Sequence, residues 1–261
     1  MANTLLTPSI IARAAIATLY AQTRMASLVH RDFAADFDGQ VGDTITVRKP
    51  ATFTADEFDR GTGIVIQDAT ETSVSVMLDT LLDVSFAITS EEWALEIKDF
   101  QMQFLSPAME AISQKVDQML LGLNVDVTQT VPLSTADETA KNSSVQLIDA
   151  GKVLNDSKVP DSNRNAVLGT HKTSMYLRDP LFHSAEKRGD TVGLIEAAIG
   201  RKFGFDCYMS QNQTTTTGLA FHRNAFALVS RTLPIPRGVS AGQAAVESYK
   251  GLGIRVIYSY D

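Results

Sequence analysis

Apolar positions recur along this chain with two periods, and the longest run is helical. From Ser90 to about Leu123, residues Trp93, Ile97, Phe100, Phe104, Ala108, Ile112, Val116, Met119 and Leu123 return at steps of three or four, the spacing of one helix face. Asp99, Gln103, Glu110, Ser113, Asp117 and Gln118 carry the polar side. Thr89 followed by Glu92 reads as a capping box, and Ile88 can staple onto Trp93 across the first turn. Such a helix spans roughly 50 Å at about 1.5 Å per residue, more than most globular domains require. Pro107 lies inside it, removes a backbone hydrogen bond and predicts a bend near Gln103. Gly122 and Asn124 suit its end.

Before this helix the period is two. Ile45 and Val47 share one face going out, and Val74, Val76 and Leu78 share one coming back, which predicts an antiparallel hairpin. About 12 to 15 residues a side would extend roughly 40 to 50 Å. Between the arms lie Arg48, Lys49, Phe53, Phe58, Arg60, a glycine turn and the run Ile64-Val65-Ile66. A two-stranded hairpin is marginal in water by itself, and Phe53, Phe58, Ile64 and Ile66 would form an exposed patch that monomers normally avoid. The residues alone leave two arrangements open: the hairpin folds back on its own core, or it lies on another chain.

The first segment, to about Asp38, reads as an arm with a helix opening at Thr7-Pro8 and Ile11, Ala15 and Leu19 at helical spacing. It packs either on its own domain or on a second copy. After the long helix the elements alternate. Ser144 caps a helix through about Ser157, closed by Pro160. "NAVLGT" reads as a buried strand, "TSMYLRDPLF" as a short helix, and "LIEAAIGRKFGFDCYMS" as helix, glycine turn and strand. Thr214 to Gly218 is a turn. "LAFHRNAFALVS" predicts a strand, a corner at His222-Arg223-Asn224 and a second strand, and Leu252, Ile254, Val256 and Tyr258 alternate as a last strand. The class is α+β.

Composition narrows the function classes. With 44% hydrophobic and 20% charged residues the chain is an ordinary globular one. A net charge of -7 argues against a surface built mainly to grip nucleic acid, though a local basic patch is compatible with it. A single cysteine, Cys207, excludes an intrachain disulfide and fits a reducing compartment. No apolar run reaches the roughly 18 residues needed to span a bilayer, and the opening segment, interrupted by Arg13, does not read as a signal peptide.

Catalytic constellations are missing. "HRDFAADF" is similar to a kinase catalytic loop, but Phe37 stands where asparagine is needed, and Gly61 to Gly63 lacks the third glycine of a nucleotide loop. The histidines at 30, 171, 183 and 222 have no ligand partner at helical spacing. No nucleophile elbow is present, and Cys207 in "FDCYM" reads as a buried structural thiol. No enzyme, metal site or cofactor is expected.

The order of arm, hairpin, long helix and α+β region is accompanied by local matches. "MANTLLTPSIIAR", "LVHRDF", "VGDTITVRKPATF", "LDVSFAITSEEWALEIKDF", "LSPAMEAISQKVD", "IGRKFGFDCYMSQN" and "LAFHRNAFALVSR" together resemble the phage P-twenty-two coat protein family, within the Hong Kong 97-type capsid fold. The resemblance covers nearly the whole chain. It implies an α+β capsid subunit with an N-terminal arm (1–40), an extended hairpin or E-loop with its return strand (41–88), the kinked spine helix of a peripheral domain (89–124), an apical domain (125–220) and peripheral-domain strands (221–261). At 261 residues there is no room for the large inserted domain of the P-twenty-two coat protein.

The implied function is that of a major capsid protein of a tailed double-stranded DNA phage. Its copies would assemble as pentamers and hexamers in the bacterial cytoplasm and close into an icosahedral shell. Scaffolding, portal and decoration proteins are further partners, DNA is enclosed without sequence specificity, and no membrane is involved. The hairpin would lie on the neighbouring subunit, with Arg48, Lys49, Phe53, Phe58, Arg60, Ile64 and Ile66 at the contact and Pro107 kinking the spine. A bacterial nanocompartment shell on the same fold and an α+β enzyme are the alternatives.

Overall fold

The computed structural model describes residues 8–31, 44–49, 51, 53–58, 60–61, 63–64, 66–69, 71–87, 104–131, 143–184, 195–239, 243–249 and 252–257. The chain divides into two compact units, one of Met1–Ala12, Asp32–Asp83 and Val229–Asp261, the other of Arg13–Arg31 and Val84–Leu228.

The larger unit is built around strand β3 (Arg164–Leu168), every residue of which is buried. It pairs in parallel with β5 (Phe205–Met209) and antiparallel with β6 (Gly218–His222), while β4 (Gly200–Lys202) pairs antiparallel with β5, so the sheet order is β4-β5-β3-β6. Helices cover both faces, which is why the apolar run of "NAVLGT" does not alternate with charged residues. On one face Val167, Leu219 and Phe221 pack with Met25 and Val29, Leu120 and Leu121, and Phe226. The first of these pairs belongs to the segment of the short helix α2 (Met25–Leu28), the second to helix α3 (Ser106–Gly122). On the other face Ala166, Leu168, Phe205 and Cys207 meet Leu147 of α4 (Ser143–Asp156), Tyr176 of α5 (Thr170–Arg178) and Phe182 of α6 (Pro180–His183). The Tyr176 and Phe182 rings meet edge-on at 5.2 Å.

Local chemistry starts and stops these elements. Asp179 accepts the Leu181 N–H at 3.0 Å and Pro180 takes the first helical position, so α6 begins where α5 ends. The predicted turn at Thr214–Gly218 turns out to serve α5: the carbonyl of Thr215 accepts the Lys172 N–H and that of Thr217 the Gly169 N–H. Gly169 is needed for space: a Cβ there would collide with the carbonyl of Thr214 and lie 2.8 Å from that of Thr215. Arg164, buried at the start of β3, donates to the carbonyls of Pro160 and Val159 and to Asn155 Oδ1, and pairs with Asp161 at 2.9 Å. It gathers the whole connection from α4.

Three sequence expectations are corrected in this unit. The helix expected at the start of "LIEAAIGRKFGFDCYMS" is seen, among the described residues, at Ile195 and Glu196 only, and Gly200–Lys202, expected as part of the turn, pair as β4 of the β4–β5 hairpin. Its turn residues Phe203 and Gly204 both have positive φ, 49° and 85°, as a type I′ turn requires. The expected second strand of "LAFHRNAFALVS" shrinks to one parallel bridge between Ala227 and His30, with the His30 N–H on the Phe226 carbonyl. Third, the buried face of α3 is Ala108, Met109, Ser113, Asp117, Leu120 and Leu121. Ser113 and Asp117 point inward, while Met119 and Leu123 are 40% exposed.

Helix α1 (Pro8–Gln22) has Ile11, Ala12, Ala15, Ile16 and Leu19 buried within the same chain. Its apolar stripe is therefore already covered without a second copy. In the smaller unit, β1 (Thr44–Lys49) pairs antiparallel with β2 (Thr72–Met77), setting Ile45 opposite Val76 and Val47 opposite Val74 as the alternation predicts. Strands β7 (Ala244–Tyr249) and β8 (Leu252–Ile257) form a second antiparallel pair. Beside it the Gly253 N–H reaches Ser230 Oγ, and Arg255 donates to the Pro234 carbonyl at 2.8 Å.

Candidate interaction surface

The β1–β2 ladder ends at the pair Lys49–Thr72, and among the described residues between them the strand pairing is limited to a single bridge position at Gly63. Period-two alternation sets the register of the ladder; beyond it proline and glycine break the pattern, and Gly63 adopts φ +74°. On this reach Phe53, Phe58, Ile64 and Ile66 are 65%, 70%, 83% and 88% exposed. Large apolar side chains this bare, gathered on one excursion, are what an unfilled protein–protein contact presents. The residue set predicted at the contact is thus brought to one hairpin and left open to solvent.

The charged members lie on the same hairpin. Arg48 faces Glu71 across its own hairpin at 3.8 Å, with both side chains largely exposed, so part of its pairing is met within the chain. An exposed pair of this kind contributes only about 0 to 1 kcal/mol. Lys49 and Arg60 are exposed.

Sequence reasoning passed over Gln67. Its carboxamide spans the two arms: Oε1 accepts the Thr54 N–H at 3.0 Å, and Nε2 donates to the Thr54 carbonyl at 2.6 Å and to Asp56 Oδ2 at 3.0 Å. The only available signal was a polar residue ending the run "GIVIQ".

Pro107 stands in the first turn of α3, directly after a π-type turn at Phe104 and Leu105, where Leu105 keeps helical dihedrals of -72° and -44°. A widened turn accommodates a proline ring that an α-turn would bring against a carbonyl. The expected capping box at Thr89 and Glu92, the apolar positions Trp93, Ile97 and Phe100, and the bend near Gln103 lie outside the described residues. At the other end the helix tightens into a 3-10 turn, Leu123–Asp126. Gly122 there has an ordinary right-handed φ of -61° rather than a left-handed cap.

Cys207 is buried in β5, and desolvation, with Asp206 beside it, pushes its thiol up to about 12. That keeps it protonated and unreactive at neutral pH. His222 Nδ1 accepts the Asn224 N–H at the corner after β6. Among the described residues, no group of three or more His, Cys, Asp or Glu side chains is placed to hold a metal ion, and no helix is long and apolar enough to cross a membrane.

No protein-family model matches the chain, and no curated protein matches it in sequence. Solved structures do match in fold. A chain described as "Mycobacterium phage Che8" superposes with a TM-score of 0.63 at 19% identity, over 90% of this chain and 84% of that one. A chain of "Capsid structure of the Cyanophage P-SCSP1u" superposes with a TM-score of 0.62 at 12% identity, over 86% and 77% of the two chains. At these identities the likeness is one of fold.

Proposed function

We propose that this chain is a structural shell subunit, the major capsid protein of a tailed double-stranded DNA phage, built on the Hong Kong 97-type fold. The observation that carries the reading is the hairpin with four bare apolar side chains, on a chain that shares its fold with the cyanophage capsid structure. In this reading residues 41–88 form the E-loop, residues 89–124 the spine helix with Pro107 at its kink, 125–220 the apical domain, and 221–261 strands of the peripheral domain.

The hairpin lies on the neighbouring subunit and buries Phe53, Phe58, Ile64 and Ile66 there, with Lys49 and Arg60 on its rim. Full burial of one phenylalanine is worth roughly 1.5 to 3 kcal/mol. Each subunit repeats the contact around pentamers and hexamers, so a closed shell needs no strong single interface. The role is structural rather than enzymatic. Enclosed DNA is held without sequence readout, by local basic groups on a chain whose net charge is -7.

Electron microscopy of the purified protein, alone and with a co-expressed scaffolding protein from the same phage, tests this. Hollow particles of uniform diameter are expected. A stable monomer under every condition sinks the reading, and particles loaded with an enzyme instead of DNA would turn it toward a nanocompartment.

A further inference from the structure

We propose that Gln67 is the positioning residue of the hairpin, setting Phe53 and Ile66 for docking on a second copy of this chain. This inference rests on the shell reading above. The regular ladder stops at Lys49–Thr72, and beyond it the described residues carry only a bridge position at Gly63, so the reach that carries the apolar side chains is served by a further hold. Gln67 supplies one by imitating a strand partner. Its carboxamide accepts the Thr54 N–H and returns a donor to the same residue's carbonyl, the two-way exchange that a hydrogen-bonded antiparallel pair makes.

The third bond, to Asp56 Oδ2, uses the second amide hydrogen, so both donors and the acceptor of the side chain engage the opposite arm. Phe53 and Ile66 are the immediate neighbours of Thr54 and Gln67. Tying the Thr54 backbone to the Gln67 side chain restricts where the flanking side chains stand relative to each other. A docking segment held in its bound shape loses less conformational freedom on association, so the clamp acts on assembly rather than on subunit folding. Thr54 and Asp56 are exposed and Gln67 is half-buried, and all three bonds join residues of the hairpin itself.

The chemistry dictates the test. Gln67→Ala removes all three bonds. Gln67→Glu keeps the length but sets a carboxylate against two acceptors, the Thr54 carbonyl and Asp56. Adding Asp56→Asn to Gln67→Glu puts a donor back opposite the new carboxylate.

Two readouts are needed. Hydrogen exchange at the Thr54 amide, measured on unassembled subunits, reports the clamp itself. The protein concentration at which particles form, followed by light scattering, reports assembly. Gln67→Ala is expected to speed Thr54 exchange and raise the threshold concentration by about fivefold or more, as for the loss of a net hydrogen bond, without moving the subunit melting temperature. Gln67→Glu should be worse at neutral pH, and Asp56→Asn should recover part of its loss.

An unchanged threshold in Gln67→Ala overturns the inference while wild-type particles leave the shell reading intact. Unprotected Thr54 amides in the wild type overturn it too. Failure of the wild type to form particles sinks the shell reading and the assembly role together.

Discussion

The Asp117 carboxylate on α3 accepts the backbone N–H of Met25 at 3.1 Å, and its second oxygen takes that of Arg24 at 3.3 Å. It thereby caps the start of α2 from another helix, 92 residues further along the chain. Helix starts leave N–H groups without partners, and α2 has no cap from its own N-cap residue, Arg24. An acidic residue on the inner face of α3 thus has a structural cause.

Asp117→Ala should cost about 1 to 3 kcal/mol, because the buried Met25 N–H loses its acceptor. Asp117→Asn keeps one acceptor oxygen and should cost less. Burial raises the Asp117 pKa above the ordinary 3.8, outweighing the lowering by the Arg24 and Met25 N–H groups, the Arg24 charge and Asn212. A folded-state pKa above the unfolded one means that the native state holds the proton more tightly. The stabilisation is full below the unfolded value and declines as pH rises from about 4 through the folded value. Urea unfolding across pH 3 to 7 should show this decline in the wild type and lose it in Asp117→Asn. A wild-type-minus-variant difference that stays flat with pH would refute the assignment.

Gly169→Ala should destabilise the subunit by about 1 to 3 kcal/mol, as overpacking does. The added methyl meets the carbonyls of Thr214 and Thr215, which are backbone and cannot swing away. Thermal melting checks this, and an unchanged midpoint would mean the turn at Thr214–Gly218 yields freely.

Two phenylalanine-to-alanine variants, one single and one double, separate core from contact. Phe182 is fully buried, and Phe182→Ala should cost roughly 3 to 5 kcal/mol of subunit stability. Phe53 and Phe58 are exposed, so the double variant Phe53→Ala/Phe58→Ala should melt as the wild type does under dissociating conditions. Its particles should fail to form or should fall apart at mild denaturant. A sharply destabilised subunit that still assembles would place the hairpin on its own core.

Pro107→Ala bears on the start of α3. The widened π turn at Phe104–Leu105 already accommodates the proline ring, so the substitution should shift subunit stability by less than about 1 kcal/mol. Relief of the π turn at Phe104–Leu105 should change particle diameter in micrographs. A stability gain near 3 kcal/mol would instead put Pro107 in the interior of a longer regular helix.

Much of the fold was legible in residue order. Alternation at Ile45, Val47, Val74 and Val76 determined the register of β1 with β2, because a slip of one residue would turn every side chain over. The apolar run around Val167 marked a strand covered on both faces. The phenylalanines and isoleucines of the hairpin could be read as a patch without local cover, while the residues alone left open whether the hairpin folds back on its own core.

What only the tertiary structure decided involves partners far apart in the chain. Periodicity assigned Asp117 and Ser113 to the wet side of α3. A hydrophobic stripe records the average polarity of a face and cannot show that a carboxylate faces a helix start 92 residues away. "FALVS" alternates like a strand, yet its only backbone partner among the described residues is the segment at His30, so no sheet extends there. The Phe203-Gly204 turn lacks the usual asparagine or aspartate of a type I′ hairpin. Gln67 looked like one more polar residue, because a side chain that replaces a strand partner leaves no period in the sequence. Local patterns report which face is buried; long-range hydrogen bonds depend on which backbone the folded chain happens to bring opposite.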